Sequence, residues 1–224
     1  MKSLKEQLEY LKDFVVEDKN VLFNKMIEER TDYFTVVMED LYQSHNQSAV
    51  MRTAECYGIQ NVHTIENRNK YDSTSTVSQG AREWLELHRH NKEENNTQST
   101  LDELRAQGYR IIATMPHSDD VMIDELDLTK GKMAFFFGTE RQGLSSTVIE
   151  QADEFVKVPM YGFTESLNVS VCAALIMYSV TQRLRQTTEI DWKLSQERKD
   201  EVLFAWYKNS IKASSQILER FNEQ

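Results

Sequence analysis

Val156–Tyr178 reads VKVPMYGFTESLNVSVCAALIMY. It opens as a buried strand, Phe155, Val156 and Val158, which Pro159 stops because proline cannot continue a ladder of backbone hydrogen bonds. Gly162 and the polar residues Thr164, Glu165, Ser166 and Asn168 then make a loop. Val169, Cys172, Ala173, Ile176 and Met177 follow at helical spacing. Strand, glycine-bearing loop and helix N-terminus in that order present backbone N–H groups to a ligand. An ordinary α/β turn has the same shape, so the shape alone assigns no function.

Upstream, the chain repeats this unit. Tyr33–Glu39 (YFTVVME) is a mostly continuous apolar run of strand length, typical of a central parallel strand. Ala49, Val50, Thr53, Ala54 and Tyr57 carry helical spacing, with Asn46 and Ser48 as N-cap residues and Gly58 closing the helix. Residues 59–66 (IQNVHTIE) form the second strand, so the unit is β-α-β with a right-handed crossover. Residues 67–100 are polar and irregular. In them, STSTVSQGAREW (73–84) reads as a short helix or mobile loop, EWLELH (83–88) as a strand, and HRHNKEENN (88–96) as a solvated turn. His88 and His90 flank Arg89 without a cysteine or carboxylate at ligand spacing, so no metal site is expected.

Ser99 or Thr100 caps the next helix, ended by Gly108. Tyr109–Met115 is a strand, followed by Pro116 and a polar segment to Asp127. Met133–Phe137 is another buried strand, and residues 145–154 a short helix. The fold class is α/β, a mostly parallel sheet with helices on both faces, over residues 31–186. Helical extensions flank it at residues 1–30 and 187–224. In the first, Leu4, Leu8, Leu11, Phe14 and Val15 mark an apolar stripe that Val21, Leu22 and Met26 continue. In the second, Val202, Leu203, Trp206, Tyr207, Ile211, Leu218 and Phe221 form a stripe on a long helix or helical pair.

The charged fraction of 28% and hydrophobic fraction of 40% mark a soluble globular chain, and no apolar run approaches the ~20 residues that cross a membrane. Cys56 and Cys172 both fall in helical apolar patterns and read as buried free thiols of a reducing cytoplasm. The net charge of −10 is unfavourable for a partner rich in phosphate unless the basic residues are locally clustered.

Three strings carry chemistry. Asn46-Gln-Ser-Ala-Val-Met-Arg52-Thr places an amide where a strand gives way to a helix and a guanidinium nearly two turns on, back toward the same face, suited to a phosphate or a carboxylate; a solvent-exposed helix arginine reads equally well. Phe137-Gly-Thr-Glu140-Arg-Gln-Gly-Leu-Ser145 sets a carboxylate between two glycines after a buried strand. It is neither a dinucleotide fingerprint nor a P-loop. The third string is the Ser166-Leu167-Asn168 segment of the opening stretch. In order, the three resemble the motifs of the SpoU/TrmH family of RNA 2′-O-ribose methyltransferases: N-x-x-A-x-x-R-T, F-G-x-E-x-x-G-L and the E-S-L-N helix start.

The resemblance implies a trefoil knot at the C-terminal end of the α/β domain, S-adenosylmethionine as cofactor, no metal and a homodimer. It places cofactor contacts at Thr114, Gly138, Val158, Met160 and Leu167. It makes Arg52 the activating residue, with Asn46, Glu140, Ser166 and Asn168 shaping the site. Arginine is protonated at any physiological pH, so Arg52 is either a base by assignment or a fixed cation that positions phosphate and hydroxyl. The compact core with short extensions looks like the tRNA-type members that methylate a D-loop guanosine, with Arg183, Arg185 and Arg82 toward RNA. A ribosomal-RNA methyltransferase of the 23S type is the alternative. Readings from other classes are a knotted RNA-binding protein without turnover and an unrelated doubly wound nucleotide-binding enzyme.

Overall fold

The computed structural model describes residues 2–70, 80–115 and 121–223. It divides into an α/β unit, Asp32–Trp192, and a helical unit in which Met1–Thr31 and Lys193–Gln224 come together.

The α/β unit holds seven strands: β1 (Phe34–Glu39), β2 (Asn61–Ile65), β3 (Glu86–His90), β4 (Arg110–Thr114), β5 (Val121–Met122), β6 (Met133–Phe137) and β7 (Glu154–Lys157). They form one sheet in the order β3-β2-β1-β6-β4-β7-β5, and every pairing is parallel. Its helices are α3 (Ser44–Cys56), α4 (Thr97–Ala106), α5 (Ser146–Gln151) and α6 (Val169–Gln186).

Alternation along the strands feeds two cores. Val36, Met38, Phe135, Phe137 and Ile112 pack with Val50, Met51 and Ala54 of α3 and Ile176, Met177 and Val180 of α6. Val37, Ala134, Phe136, Ile111 and Ala113 pack with Leu101 and Leu104 of α4 and Val148 of α5. A strand buried on both faces has no polar side, which is why β1 and β6 read as continuous apolar runs. Thr35, buried within β1, is satisfied by donating its hydroxyl to the Asn61 carbonyl at 2.7 Å.

Several boundaries differ from the sequence reading. The helix expected to be capped by Ser99 or Thr100 begins at Thr97 after Asn96, because the Thr100 hydroxyl bonds back to the Asn96 carbonyl at 2.7 Å. Strand β5 falls in what reads as a polar segment; it is only two residues long and has no apolar run to betray it. Parts of the 73–84 and 116–127 segments lie outside the described residues. Cys56 is exposed at the end of α3, whereas burial pushes the Cys172 thiol up to about 11.

The helical unit contains α1 (Leu4–Lys12), α2 (Glu17–Ile27), α7 (Gln196–Ser210) and α8 (Ser214–Glu223), so the C-terminal segment is a helical pair. Ser3 caps α1 in a reciprocal box with Glu6. Phe23 packs against the rings of Trp206 and Tyr207 at 5.6 and 5.1 Å, and Tyr10 stacks on Phe221 at 4.1 Å. The buried stripe of α2 is Phe23 and Ile27; Val21 and Leu22 face solvent, so the stripe is turned by one or two residues, about 100–200°, from where the sequence reading put it. No helix among the described residues is long and apolar enough to cross a membrane.

His88, Arg89 and His90 belong to strand β3 rather than to a solvated turn. His88 stands opposite His63 of β2, and the two rings stack at 4.5 Å. His63 Nδ1 and His90 Nε2 are 3.0 Å apart, and Arg89 grips the buried Glu66 carboxylate through two bonds of 2.7 Å. Burial first, then the neighbouring imidazoles, hold the His63 pKa well below the ordinary histidine value. The folded state therefore resists a proton that the unfolded chain accepts below about pH 6.5, and stability is lost as pH falls through that point. We predict that the thermal midpoint drops from about pH 7.5 to about pH 5.5, with His63 contributing up to about 1.4 kcal/mol per pH unit, and that His63→Gln flattens the profile. A pH-independent midpoint over that window would contradict the assignment.

Candidate functional site

Because every strand runs the same way, the C-terminal ends of β1, β4, β6 and β7 lie along one edge of the sheet, where α/β folds bind ligands. All three sequence motifs emerge at this edge. The first follows β1 and enters α3, the second follows β6, and the third joins β7 to α6.

Asn46 lies in the first turn of α3 and is only 2% exposed. It is not the cap. Gln43 holds that position without a side-chain cap bond, and the Asn46 amide turns away from its own helix. Asn46 Nδ2 donates to Glu140 Oε1 at 2.8 Å and to Gln43 Oε1 at 3.1 Å. Its Oδ1 accepts from Asn168 Nδ2 at 3.3 Å. Asn168 is the N-cap of α6, where its Oδ1 accepts from the Ser170 backbone N–H at 2.9 Å and hydroxyl at 2.6 Å. Glu140 Oε2 faces the Tyr42 N–H at 3.4 Å. One amide thus ties the three motifs into a continuous chain, Glu140–Asn46–Asn168.

Glu140 is placed by a tight hairpin. Thr139 and Gly143 exchange two backbone hydrogen bonds of 2.9 and 3.0 Å, and Gly143 adopts φ 71°, a left-handed conformation that glycine takes without strain. This folds the backbone of 143–144 onto Gly138. A Cβ on Gly138 would lie 2.1 Å from the Gly143 carbonyl carbon and 2.2 Å from the Leu144 nitrogen. The glycine is therefore demanded by the hairpin itself, whatever binds beside it.

Arg52 stands apart from this chain. Its side chain is exposed and makes no hydrogen bond or ion pair among the described residues. Six residues of helix turn it well away from the buried face that Asn46 occupies. Ser166 lies in the exposed loop before Asn168 and joins no bond of the cluster. Thr114 ends β4 and donates its hydroxyl to the Phe136 carbonyl at 2.7 Å. Val158, Met160 and Leu167 bracket the loop between β7 and α6. Residues 161–168 are exposed, and among the described residues no loop hydrogen bond between backbones involves residues 159–167. A backbone with spare donors and acceptors beside the ends of β4 and β6 fits a polar ligand held by main-chain groups.

The arginines expected to face RNA divide. Arg183 donates to the carbonyls of Ile123 and Leu126 at 2.9 and 2.5 Å and so braces the segment after β5. Arg185 lies over the Trp192 ring at 4.8 Å, and Arg82 is exposed in a short turn after Gly80. The sequence reading missed Gln43 and Ser170. The Asn168-x-Ser170 spacing of a capped helix start was a usable signal for Ser170; nothing marked Gln43.

The SpoU rRNA Methylase family matches residues 33–178. A tRNA (guanosine(18)-2'-O)-methyltransferase of Borreliella burgdorferi is 39% identical over 202 residues, 90% of this chain and 90% of that protein. The A. aeolicus TrmH/SpoU tRNA modifying enzyme superposes with a TM-score of 0.73 at 27% identity, covering 87% of this chain and 98% of that one. The SpoU methyltransferase AviRb from Streptomyces viridochromogenes, solved in complex with AdoMet, shares the fold at TM-score 0.58 and 21% identity, over 72% of this chain and 62% of that one.

Gly138→Ala should displace the hairpin and carry Glu140 off Asn46. We expect a stability loss on the order of 1–3 kcal/mol from overpacking and a fall in turnover of roughly a hundredfold from the misplaced carboxylate. Urea titration and methyl-transfer assays measure the two; full activity in a folded variant would show that the hairpin does not position Glu140.

Proposed function

The chain belongs to the SpoU rRNA Methylase family and is an RNA methyltransferase, and we propose that it methylates the ribose 2′-hydroxyl of a D-loop guanosine in tRNA. The observation that carries this reading is the Glu140–Asn46–Asn168 chain, which joins all three motifs at one sheet edge. The tRNA substrate is favoured over ribosomal RNA by the name and near-complete coverage of the Borreliella burgdorferi relative. That substrate also puts the enzyme in the cytoplasm, where tRNA is matured.

S-adenosylmethionine suits the loops at Thr114, Gly138, Val158, Met160 and Leu167, where the exposed 159–167 backbone offers main-chain groups, and would supply an electrophilic methyl group. The trefoil knot expected of the family would be formed by this same β7–α6 segment. The protein's own task is to orient the hydroxyl and remove its proton. Asn46 and Asn168 hold Glu140 and the start of α6 in one rigid frame, against which the ribose is aligned. Arg52 is an exposed guanidinium, and its planar fork suits a substrate phosphate. We infer that it acts as a fixed cation. It holds that phosphate beside the hydroxyl, so that a phosphate oxygen takes the proton.

A second copy of the chain is the proposed partner. Val171, Leu175 and Tyr178 recur along one face of α6 and are 47, 42 and 52% exposed, and Tyr161 and Phe163 in the preceding loop are fully exposed. Such a continuous apolar stripe at the edge of the site suits an isologous helix contact.

Two outcomes test this. With labelled S-adenosylmethionine and tRNA lacking native methylation, label should appear in a 2′-O-methylguanosine, and Arg52→Ala should reduce it on the order of a hundredfold or more. Label confined to ribosomal RNA would reverse the substrate choice. In sedimentation, the wild type should run at about twice its 26.2 kDa chain mass, and Leu175→Glu should run as a monomer; a wild-type monomer would refute the dimer.

A further inference from the structure

A cavity of about 1010 Å³ opens beside Glu140, and Tyr42, Arg68, Asn69, Arg141 and Gln142 are among the residues that line it. It lies at the C-terminal ends of β1 and β6, where the strand order changes direction: β2 and β3 continue outward on one side of β1, while the later strands fill the other. Crevices at such switch points are where doubly wound sheets take ligands. None of the five positions assigned to the cofactor lines it, yet Glu140 does. The cavity is therefore a second compartment that shares a wall with the site.

Its floor is built, not incidental. Asp40 adopts φ 52°, a left-handed conformation uncommon for a residue with a side chain. Its Oδ1 accepts from the N–H groups of Asn67, Arg68 and Asn69 at 2.8, 2.8 and 3.2 Å, and Asn69 Nδ2 donates back to the Asp40 carbonyl at 2.8 Å. This clamp fixes the segment after β2 and with it Arg68, whose Nη1 donates to Gln142 Oε1 at 3.1 Å across the cavity. Most of the acidic lining is engaged: Glu39 accepts from the Thr97 hydroxyl and from the Ser145 hydroxyl and N–H, and Glu140 accepts from Asn46, while Glu94 is exposed. Arg141 is exposed and has no partner among the described residues, and the Tyr42 side chain belongs to a residue that is 76% exposed.

An exposed ring, two guanidiniums and a volume at the top of the ~300–1,000 Å³ range of small-molecule sites match a stretch of single-stranded polynucleotide better than a compact metabolite. We propose that this cavity seats the RNA nucleotides next to the reacting ribose, with one base stacked on Tyr42 and backbone phosphates held by Arg68 and Arg141. The proposal rests on the reading of the chain as an RNA methyltransferase. It gives Tyr42 and Arg141 a role in binding RNA and none in binding the cofactor. Splayed-out bases are generally held in this way, by stacking on aromatic rings beside cationic side chains.

The test uses the full-length protein and tRNA lacking native methylation. Tyr42→Ala should raise KM for tRNA by roughly ten- to a hundredfold, the loss of one stacked base, with little change in kcat. Tyr42→Phe keeps the ring and should restore KM. Arg141→Ala should raise KM and make binding less salt-dependent by about one phosphate contact. Affinity for S-adenosylmethionine, read by calorimetry, should not move in any of the three. An active wild type whose KM for RNA is unaltered in both alanine variants would overturn the cavity assignment alone. So would variants that lose cofactor affinity in step with RNA affinity. A wild type that methylates neither tRNA nor ribosomal RNA would instead overturn the underlying reading, and the cavity assignment with it.

Discussion

The site depends on one buried amide. Asn46 lies in a helix of the first motif, donates to a carboxylate of the second and accepts from the helix cap of the third. A buried amide left without partners would cost about 1–3 kcal/mol for each unsatisfied group, so the three segments are locked to one another by the need to satisfy it. No aspartate could replace it, because a carboxylate facing Glu140 would repel it and could not donate. No aliphatic residue could either, because Glu140 would lose its closest partner. This is the physical reason for an asparagine at this position.

Much of this was legible from residue types. The strands β1, β4 and β6 announce themselves because a parallel strand covered on both faces carries no polar alternation, and the glycines at 58 and 108 mark helix ends by their left-handed backbone. What escaped was decided by partners distant in sequence. The Thr97 hydroxyl bonds Glu39 and accepts from Asn67, so α4 begins earlier than its own residues suggest. The His-Arg-His run looks like a solvated turn until His63 on β2 and Glu66 just after it lie alongside. The exposure of Cys56 depends on which face of α3 meets α6, and periodicity alone could not resolve that in the last turn.

Part of the acidic composition is turned inward, where it does not oppose an anionic substrate. Glu39, Asp40, Glu66 and Asp153 spend their oxygens on backbone N–H groups, hydroxyls or an arginine inside the α/β unit. They act as internal connectors between loops. A net charge summed over the chain says little about one face, since charges further apart than about 10 Å are screened in physiological salt.

The same accounting sorts the cations, and it changes which of them matter for RNA. Arg89 is bound to Glu66, Arg110 to Glu154 and the Asp127 carbonyl, and Arg183 to two carbonyls near β5. Each would have to abandon a made hydrogen bond to hold a phosphate. Arg52 and Arg141 abandon none, because neither has a partner among the described residues, and Arg68 would give up only its exposed bond to Gln142. Phosphate binding releases counterions and is rewarded most where the cation starts out solvated and unpaired. Sequence position favours Arg183, which reads as part of a basic cluster after the last core helix but lies in the last turn of α6. Its geometry makes it a brace, holding the segment after β5 by two backbone carbonyls.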